Sequence, residues 1–288
     1  MPLCEIRVAV PVGSVEAIDD LLLERGDARW SVFEDVIART ACVVGIFPAE
    51  AEARESWAGL AGSIAHEGEP QMRAMTDADW RESYKLHFKP WQIGRLHLVP
   101  VWERETYALP AGDEIVWLDP GMAFGTGNHE TTRLCVERMV ELASAGRRSR
   151  SVIDAGCGSG ILTISAVKLG FGPVSGFDND AEAVRIANEN AALNSVGDRV
   201  KFHVGDLLTG FGGGRFDLVL ANIQADVLAR FARELFAAVA PGGVLVLSGI
   251  LARELEQVRE CFATPAGLPA ARLESRALGE WADLLVRP

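Results

Sequence analysis

The stretch VIDAGCGSGILTISA, residues 152–166, decides how this chain is read. A short apolar run, strand-like over Ser151–Asp154, enters Gly156, Gly158 and Gly160. A helical pattern over Ile161–Leu169 follows directly. Glycines so spaced permit a tight turn and close approach of backbone to a ligand. The first N–H groups of the following helix supply further donors. The turn is more compact than the dinucleotide fingerprint, because Ile161 stands where a third glycine would fall. No Gly-Lys-Ser/Thr follows, so it is not a P-loop. A ligand whose central part is an amino-acid zwitterion suits such a turn better than a pyrophosphate. Asp154, at its mouth, either orders the loop or accepts from the ligand's ammonium, directly or through water. An ordinary strand–helix turn uses the same glycines, so the triplet needs its context.

Downstream, strands and helices alternate. Strands are predicted at Val174–Phe177, Lys201–Val204, Phe216–Ala221, Val244–Leu247 and Trp281–Val286. Helices are predicted at Ala181–Leu193, Gln224–Val239 and Ala252–Phe262. This alternation implies a mostly parallel, Rossmann-like α/β sheet covered on both faces. Asp178, in GFDND, ends the second strand, 22 positions after Gly156. An acidic side chain there can accept from both ribose hydroxyls of a nucleoside. Asp180 reads instead as a helix N-terminal residue. Asp206, in VGDLL, either faces an adenine amino group or caps its loop. Asn222 ends the strand of LVLAN, on the side of an open sheet where ligands bind.

Upstream, residues 114–150 hold a strand candidate at Ile115–Leu118, a second Gly-rich stretch and a helix near His129–Leu142. Residues 1–75 read as a small α+β domain, with strands at 3–10, Trp30–Phe33 and Cys42–Phe47 and helices at Val15–Arg25 and Ala51–Ala61. Such a domain either supports packing or grips a partner. Residues 76–113 are expected to link and bridge the two domains. Their Trp80, Tyr84, Phe88, Trp91 and Trp102, interleaved with Arg81, Lys85, Lys89 and Arg95, suit a packed bridge better than a nucleic-acid stacking platform.

The net charge of −12 supports that preference, because bulk nucleic-acid binding needs clustered cations. It fits a small molecule or a basic protein partner. The five cysteines have no metal or redox spacing and point to a reducing compartment. The start, MPLCEIRVAV, has no secretory pattern, and no apolar run approaches a membrane span. The histidines, His66, His87, His97, His129 and His203, lack compact ligand spacing, so no metal is expected.

Two further stretches carry a specific resemblance. WLDPGMAFGTGNHETTRLC, residues 117–135, and DLVLANIQADVL, residues 217–228, join DAGCGSGIL at 154–162 and LSGIL at 247–251. With WRESYKLHFKPWQIGRLHLVPVW and the closing EWADLLVRP, they resemble the PrmA family of bacterial methyltransferases, over essentially the whole chain. That family methylates amino groups of large-subunit ribosomal protein eleven. DPGMAFGTGNHETT is its most specific element. The resemblance implies a class I methyltransferase domain over 114–288 and substrate recognition by residues 1–75. It implies S-adenosyl-L-methionine as cofactor, S-adenosyl-L-homocysteine as product and no metal.

Family cofactor contacts carry to Thr132, Gly156, Asp178 and Asn222, with Asp154, Gly158, Gly160 and Asp206 around them. Thr126 and His129 join Asn222 as catalytic candidates, although local helix capping would also account for Thr126, Thr132 and His129. Asn128, Glu130 and Gln224 depart from the commonest family wording, the last beside the expected catalytic mouth. No covalent intermediate is needed, so Cys135 and Cys157 are expected to be buried or loop-lining and not to attack. The chain is expected to be a cytoplasmic monomer, without nucleic-acid or membrane partners. The rival readings are a lysine methyltransferase of another protein, such as the electron-transfer flavoprotein beta subunit, and a non-catalytic cofactor-binding scaffold.

Overall fold

The structure is a computed structural model, and it describes residues 3–25, 29–35, 40–75, 89–118, 130–146, 151–263 and 272–288. The chain divides into two compact units, at His87/Phe88.

In the first unit, β1 (Leu3–Val10), α1 (Val15–Arg25), β2 (Trp30–Asp35), β3 (Thr40–Phe47), α2 (Glu50–Ala61) and β4 (Glu67–Met75) follow in order. The sheet is antiparallel, in the order β2-β3-β1-β4. This βαββαβ order is the ferredoxin-like arrangement. Alternation in β1 sends Cys4, Ile6, Val8 and Val10 to one face. There they meet Ile18 and Leu22 of α1 and Ala53, Trp57 and Leu60 of α2. The expected α+β character is present, with β4 as an additional edge strand.

The second unit begins upstream of the boundary read from sequence. Residues 91–118 form a three-stranded sheet of β5 (Trp91–Ile93), β6 (Leu96–Pro100) and β7 (Glu114–Leu118). Leu96, Leu98, Val116 and Leu118 join the core of this unit. From residue 89 on, the stretch expected to bridge two domains is therefore built into the second. Trp91 packs against that core, and the Arg95 guanidinium donates to the Lys168 carbonyl at 3.5 Å.

The main sheet has seven strands in the order β10-β9-β8-β11-β12-β14-β13. They are β8 (Val152–Ala155), β9 (Val174–Asp178), β10 (Val200–Val204), β11 (Phe216–Asn222), β12 (Val239–Leu251), β13 (Arg272–Leu278) and β14 (Trp281–Arg287). The first five are parallel, and β14 is antiparallel to both β12 and β13. The expected mostly parallel sheet is thus observed.

The central strands bury both faces. Val152, Leu218, Leu220, Val244 and Val246 meet α3 (Glu130–Ser144), α4 (Ile161–Lys168) and the three-stranded sheet, in a layer that also takes in Ala191 of α5 (Ala181–Leu193). Ile153, Val219, Ala221, Leu245 and Leu247 meet α6 (Ala225–Arg230), α7 (Ala232–Ala237) and α8 (Leu255–Ala263).

The helix predicted over Gln224–Val239 is two helices. It breaks at Phe231, whose backbone leaves the helical region at φ −107° and ψ 23°. The break still leaves Leu228, Leu235 and Phe236 buried in one core. No helix among the described residues is long and apolar enough to cross a membrane.

Candidate active site

The chain runs outward from β8 through β9 to β10, then returns to pair β11 with β8. Strand order reverses between β8 and β11. A crevice at the carboxyl ends of the strands flanking such a reversal is where open α/β sheets bind ligands. Asp154, the glycine turn and Asn222 fall at those ends, and Asp178 at the carboxyl end of the neighbouring β9.

The turn is built by its backbone. The N–H groups of Gly156 and Cys157 both donate to the Phe177 carbonyl at 2.9 Å, tying the turn to the end of β9. Gly156 has φ +76°, and a Cβ there would stand 2.6 Å from Cγ2 of Ile223. Gly160 has φ +78°, and a Cβ would crowd Phe202 and the backbone of Ala187 in α5. Glycine is therefore required at both for conformation and for packing. Gly158, at φ +51°, donates its N–H to Asp178 Oδ2 at 2.9 Å.

Asp178 is half-buried, and its Oδ1 accepts from the Asp180 N–H at 3.0 Å. Two backbone donors thus fix the carboxylate, while each oxygen keeps a lone pair for a further donor. Asp180 caps α5 by accepting from the Glu182 N–H at 2.8 Å, the helix-start role read from sequence. Asp206 folds its own loop: Oδ1 accepts from the Leu208 N–H, the Thr209 N–H and the Thr209 hydroxyl. These bonds, led by the Thr209 hydroxyl, hold its carboxyl below the usual range. Of its two readings, loop capping is directly visible, at the carboxyl end of β10.

Asp154 is buried, at 1% exposure. Its Oδ2 accepts from the Thr163 hydroxyl at 2.8 Å, and its Oδ1 is buried with no partner. Burial, chiefly, pushes the carboxyl up to about 7, with the nearby Asp178 charge adding to it against the Thr163 bonds. The loop-ordering reading is visible in the Thr163 bond. The free Oδ1 leaves room for the other.

Asn222 is half-buried and lies opposite Ser248 of β12. The Ser248 hydroxyl donates to the Thr131 carbonyl at 3.0 Å, fastening the first turn of α3 beside Asn222. Thr132, in that turn, is 1% exposed. The structure therefore gathers Thr132, Asp154, Gly156, Gly158, Gly160, Asp178 and Asn222 around the carboxyl ends of β8, β9, β11 and β12. Thr126 and His129 lie outside the described residues. Cys135 and Cys157 are buried, and burial raises both thiols, so neither is poised as a thiolate. Among the described residues, no group of three or more His, Cys, Asp or Glu is arranged to hold a metal ion.

Sequence reading misses the supports. Thr163 is one, although its place in the first turn after the glycines marks it as a potential donor. Ser248, in the LSGIL stretch, is another, and nothing local in that stretch signals its role. Asn194 is a third: its Oδ1 accepts from the Trp117 N–H at 2.7 Å and its Nδ2 donates to the Trp117 carbonyl at 3.0 Å. The end of α5 thereby grips β7, just before residues 119–129.

The strand order, with its antiparallel last pair, and the glycine-turn crevice define the class I methyltransferases. The family model described as ribosomal protein L11 methyltransferase (PrmA) matches residues 9–287, and the chain belongs to this family. It is 44% identical over 218 residues to the ribosomal protein L11 methyltransferase of Geobacter metallireducens, a match that spans 75% of this chain and 68% of that one. It is 36% identical to the protein of the same name from Syntrophotalea carbinolica, across 97% of this chain and 96% of that one. A solved ribosomal protein L11 methylase from Lactobacillus delbrueckii subsp. bulgaricus matches with a TM-score of 0.61 and 32% identity, over 69% of this chain and 98% of that one.

Proposed function

We propose that this protein transfers methyl groups from S-adenosyl-L-methionine to amino groups of ribosomal protein L11, on lysine side chains and the N-terminal α-amine. The observation that carries the reading is the convergence of Asp178, Asp154 and Asn222 on one crevice at the strand-order reversal. The residues present fit that cofactor. Asp178 is held as an acceptor for ribose hydroxyls, and the buried, unpartnered Oδ1 of Asp154 suits a ligand with a cationic end.

When bound, S-adenosyl-L-methionine would supply an electrophilic methyl on a sulfonium, with the neutral thioether of S-adenosyl-L-homocysteine as the leaving group. The chain's own task is position. The Asn222 side-chain carbonyl accepts from the incoming amine and turns its lone pair toward the methyl. Thr132 lines the crevice on the α3 side. Thr126 and His129 belong to the same specific loop and are assigned to substrate positioning. The amine must be neutral to attack. A lysine, with a pKa of about 10.4, has further to go than an α-amine near 8. A desolvated site beside a sulfonium favours the neutral form.

Residues 1–75 are assigned to gripping the protein substrate, and the acidic chain suits a basic one. The working form is a cytoplasmic monomer without nucleic acid. The test is transfer of labelled methyl from S-adenosyl-L-methionine to purified L11, with the electron-transfer flavoprotein beta subunit in parallel. Label on L11 and on a lysine or α-amine is expected. Label on the flavoprotein alone would redirect the substrate, and label on neither would leave a cofactor-binding scaffold.

A further inference from the structure

Asp154 combines three features that the methyl-transfer reaction itself does not use. Its side chain is 1% exposed, its Oδ2 is committed to the Thr163 hydroxyl, and its Oδ1 is buried without a partner. The groups acting on it supply no positive charge. From β9 comes the carboxylate of Asp178, which opposes a second negative charge. From the turn and α3 come the thiols of Cys157 and Cys135, both kept protonated by burial. From α4 come the Thr163 hydroxyl and the Thr163 backbone N–H, both uncharged. No lysine, arginine or histidine among the described residues pairs with it.

A lone carboxylate in such a place is costly, and the group sheds that cost by holding its proton. The carboxyl is accordingly raised to about 7. An arriving cation reverses the balance, because an opposite charge nearby favours the ionised form. Asp154 lies at the mouth of the turn assigned to S-adenosyl-L-methionine, which carries an ammonium and a sulfonium.

We propose that Asp154 is a proton-exchanging counter-ion of the cofactor site, a neutral acid until the cationic cofactor enters and a carboxylate once it is bound. The proposal rests on the cofactor reading above. On binding, the O–H bond of Asp154 breaks, its electron pair stays on the carboxylate, and the proton passes to solvent. On release of S-adenosyl-L-homocysteine, which has lost the sulfonium charge, the proton returns. Asp154 is thus a positioning residue, and proton and cofactor compete for it. Affinity should rise with pH through neutrality, by about tenfold between pH 6 and pH 8 for one linked group of this kind.

The test is calorimetric titration of the full chain with S-adenosyl-L-methionine at pH 6, in two buffers of different ionisation enthalpy. The number of protons released is compared with that of Asp154→Asn. The amide oxygen of that variant can still accept from Thr163, and the comparison cancels protons exchanged by the ligand's own amine. Per site, the wild type should release at least half a proton more than Asp154→Asn does, and this excess should vanish at pH 9. Equal release in the two proteins would overturn the proposal. Should the variant fail to fold, the infrared difference spectrum of the wild type decides. Loss of a carboxylic-acid carbonyl band on adding S-adenosyl-L-methionine supports the proposal, and an unchanged band overturns it. Absence of any binding by the wild type at pH 8, measured by equilibrium dialysis, would instead sink the cofactor reading and the inference with it.

Discussion

Arg138 of α3 and Asp283 of β14 face each other through two hydrogen bonds, Nε to Oδ2 at 2.7 Å and Nη2 to Oδ1 at 2.8 Å, with both side chains buried. Asp283 Oδ1 also accepts from the Arg276 N–H, and Arg138 donates to the Glu274 carbonyl. The pair therefore clamps the helix that carries Thr132 to the antiparallel end of the sheet. Removing one partner strands a buried charge, which typically costs about 3–5 kcal/mol. Asp283→Ala should lose that much stability in urea unfolding. The double change Arg138→Met with Asp283→Leu should lose far less, since the desolvation cost disappears with the charges. Equal losses in the two proteins would show that packing, not the stranded charge, sets the effect.

Asp178 is the second point of test. Its carboxylate accepts from the Gly158 and Asp180 N–H groups. Asp178→Ala should weaken S-adenosyl-L-methionine binding by about 1–3 kcal/mol, the worth of charge-assisted hydrogen bonds. Calorimetry at pH 8 reads the change. Unchanged affinity in a folded variant would remove the ribose assignment.

Asn222 should behave differently. If its carbonyl aligns the amine, Asn222→Ala should slow single-turnover methylation of L11 by about 10²-fold at saturating cofactor and substrate. Cofactor affinity should change less. A wild-type chemical rate under those conditions would confine Asn222 to cofactor binding.

The extent of the second unit makes a prediction about fragments. Residues 88–288 should fold and retain cofactor binding while methylating L11 poorly, because the unit assigned to substrate grip is gone. Removal of residues up to 100 should fail differently. It strips Leu96 and Leu98 from the core, along with buried His97, which bonds Tyr107 at 2.6 Å and Asp113 at 2.8 Å. Circular dichroism and equilibrium dialysis distinguish the two fragments. Full L11 methylation by residues 88–288 would dismiss the substrate-gripping role of the first unit.

The sequence by itself determined the catalytic unit's class and the position of its central crevice. Strand, glycine turn and helix at 151–169 are consecutive, and a local backbone requirement such as positive φ writes itself directly into residue type. Asp178 was legible for the same reason, since it ends the next apolar run. The edge strands β4 and β13 were not. Glu67–Met75 contains Pro70, and Arg272–Leu278 reads RLESRAL, largely polar, because an edge strand gains its place from backbone pairing with a neighbour. The break at Phe231 was hidden as well, since apolar spacing continues across it.

Only the tertiary structure decided the supports: Thr163 on Asp154, Ser248 on Thr131, Asn194 on Trp117 and Arg138 on Asp283. Three of these pairs are 77 or more positions apart. Thr163 and Asp154 are near in sequence, yet their meeting depends on how the glycine turn lays α4 across β8. Burial of Asp154 is likewise a property of the packed layers, and no pattern along the chain encodes which oxygen is left without a partner.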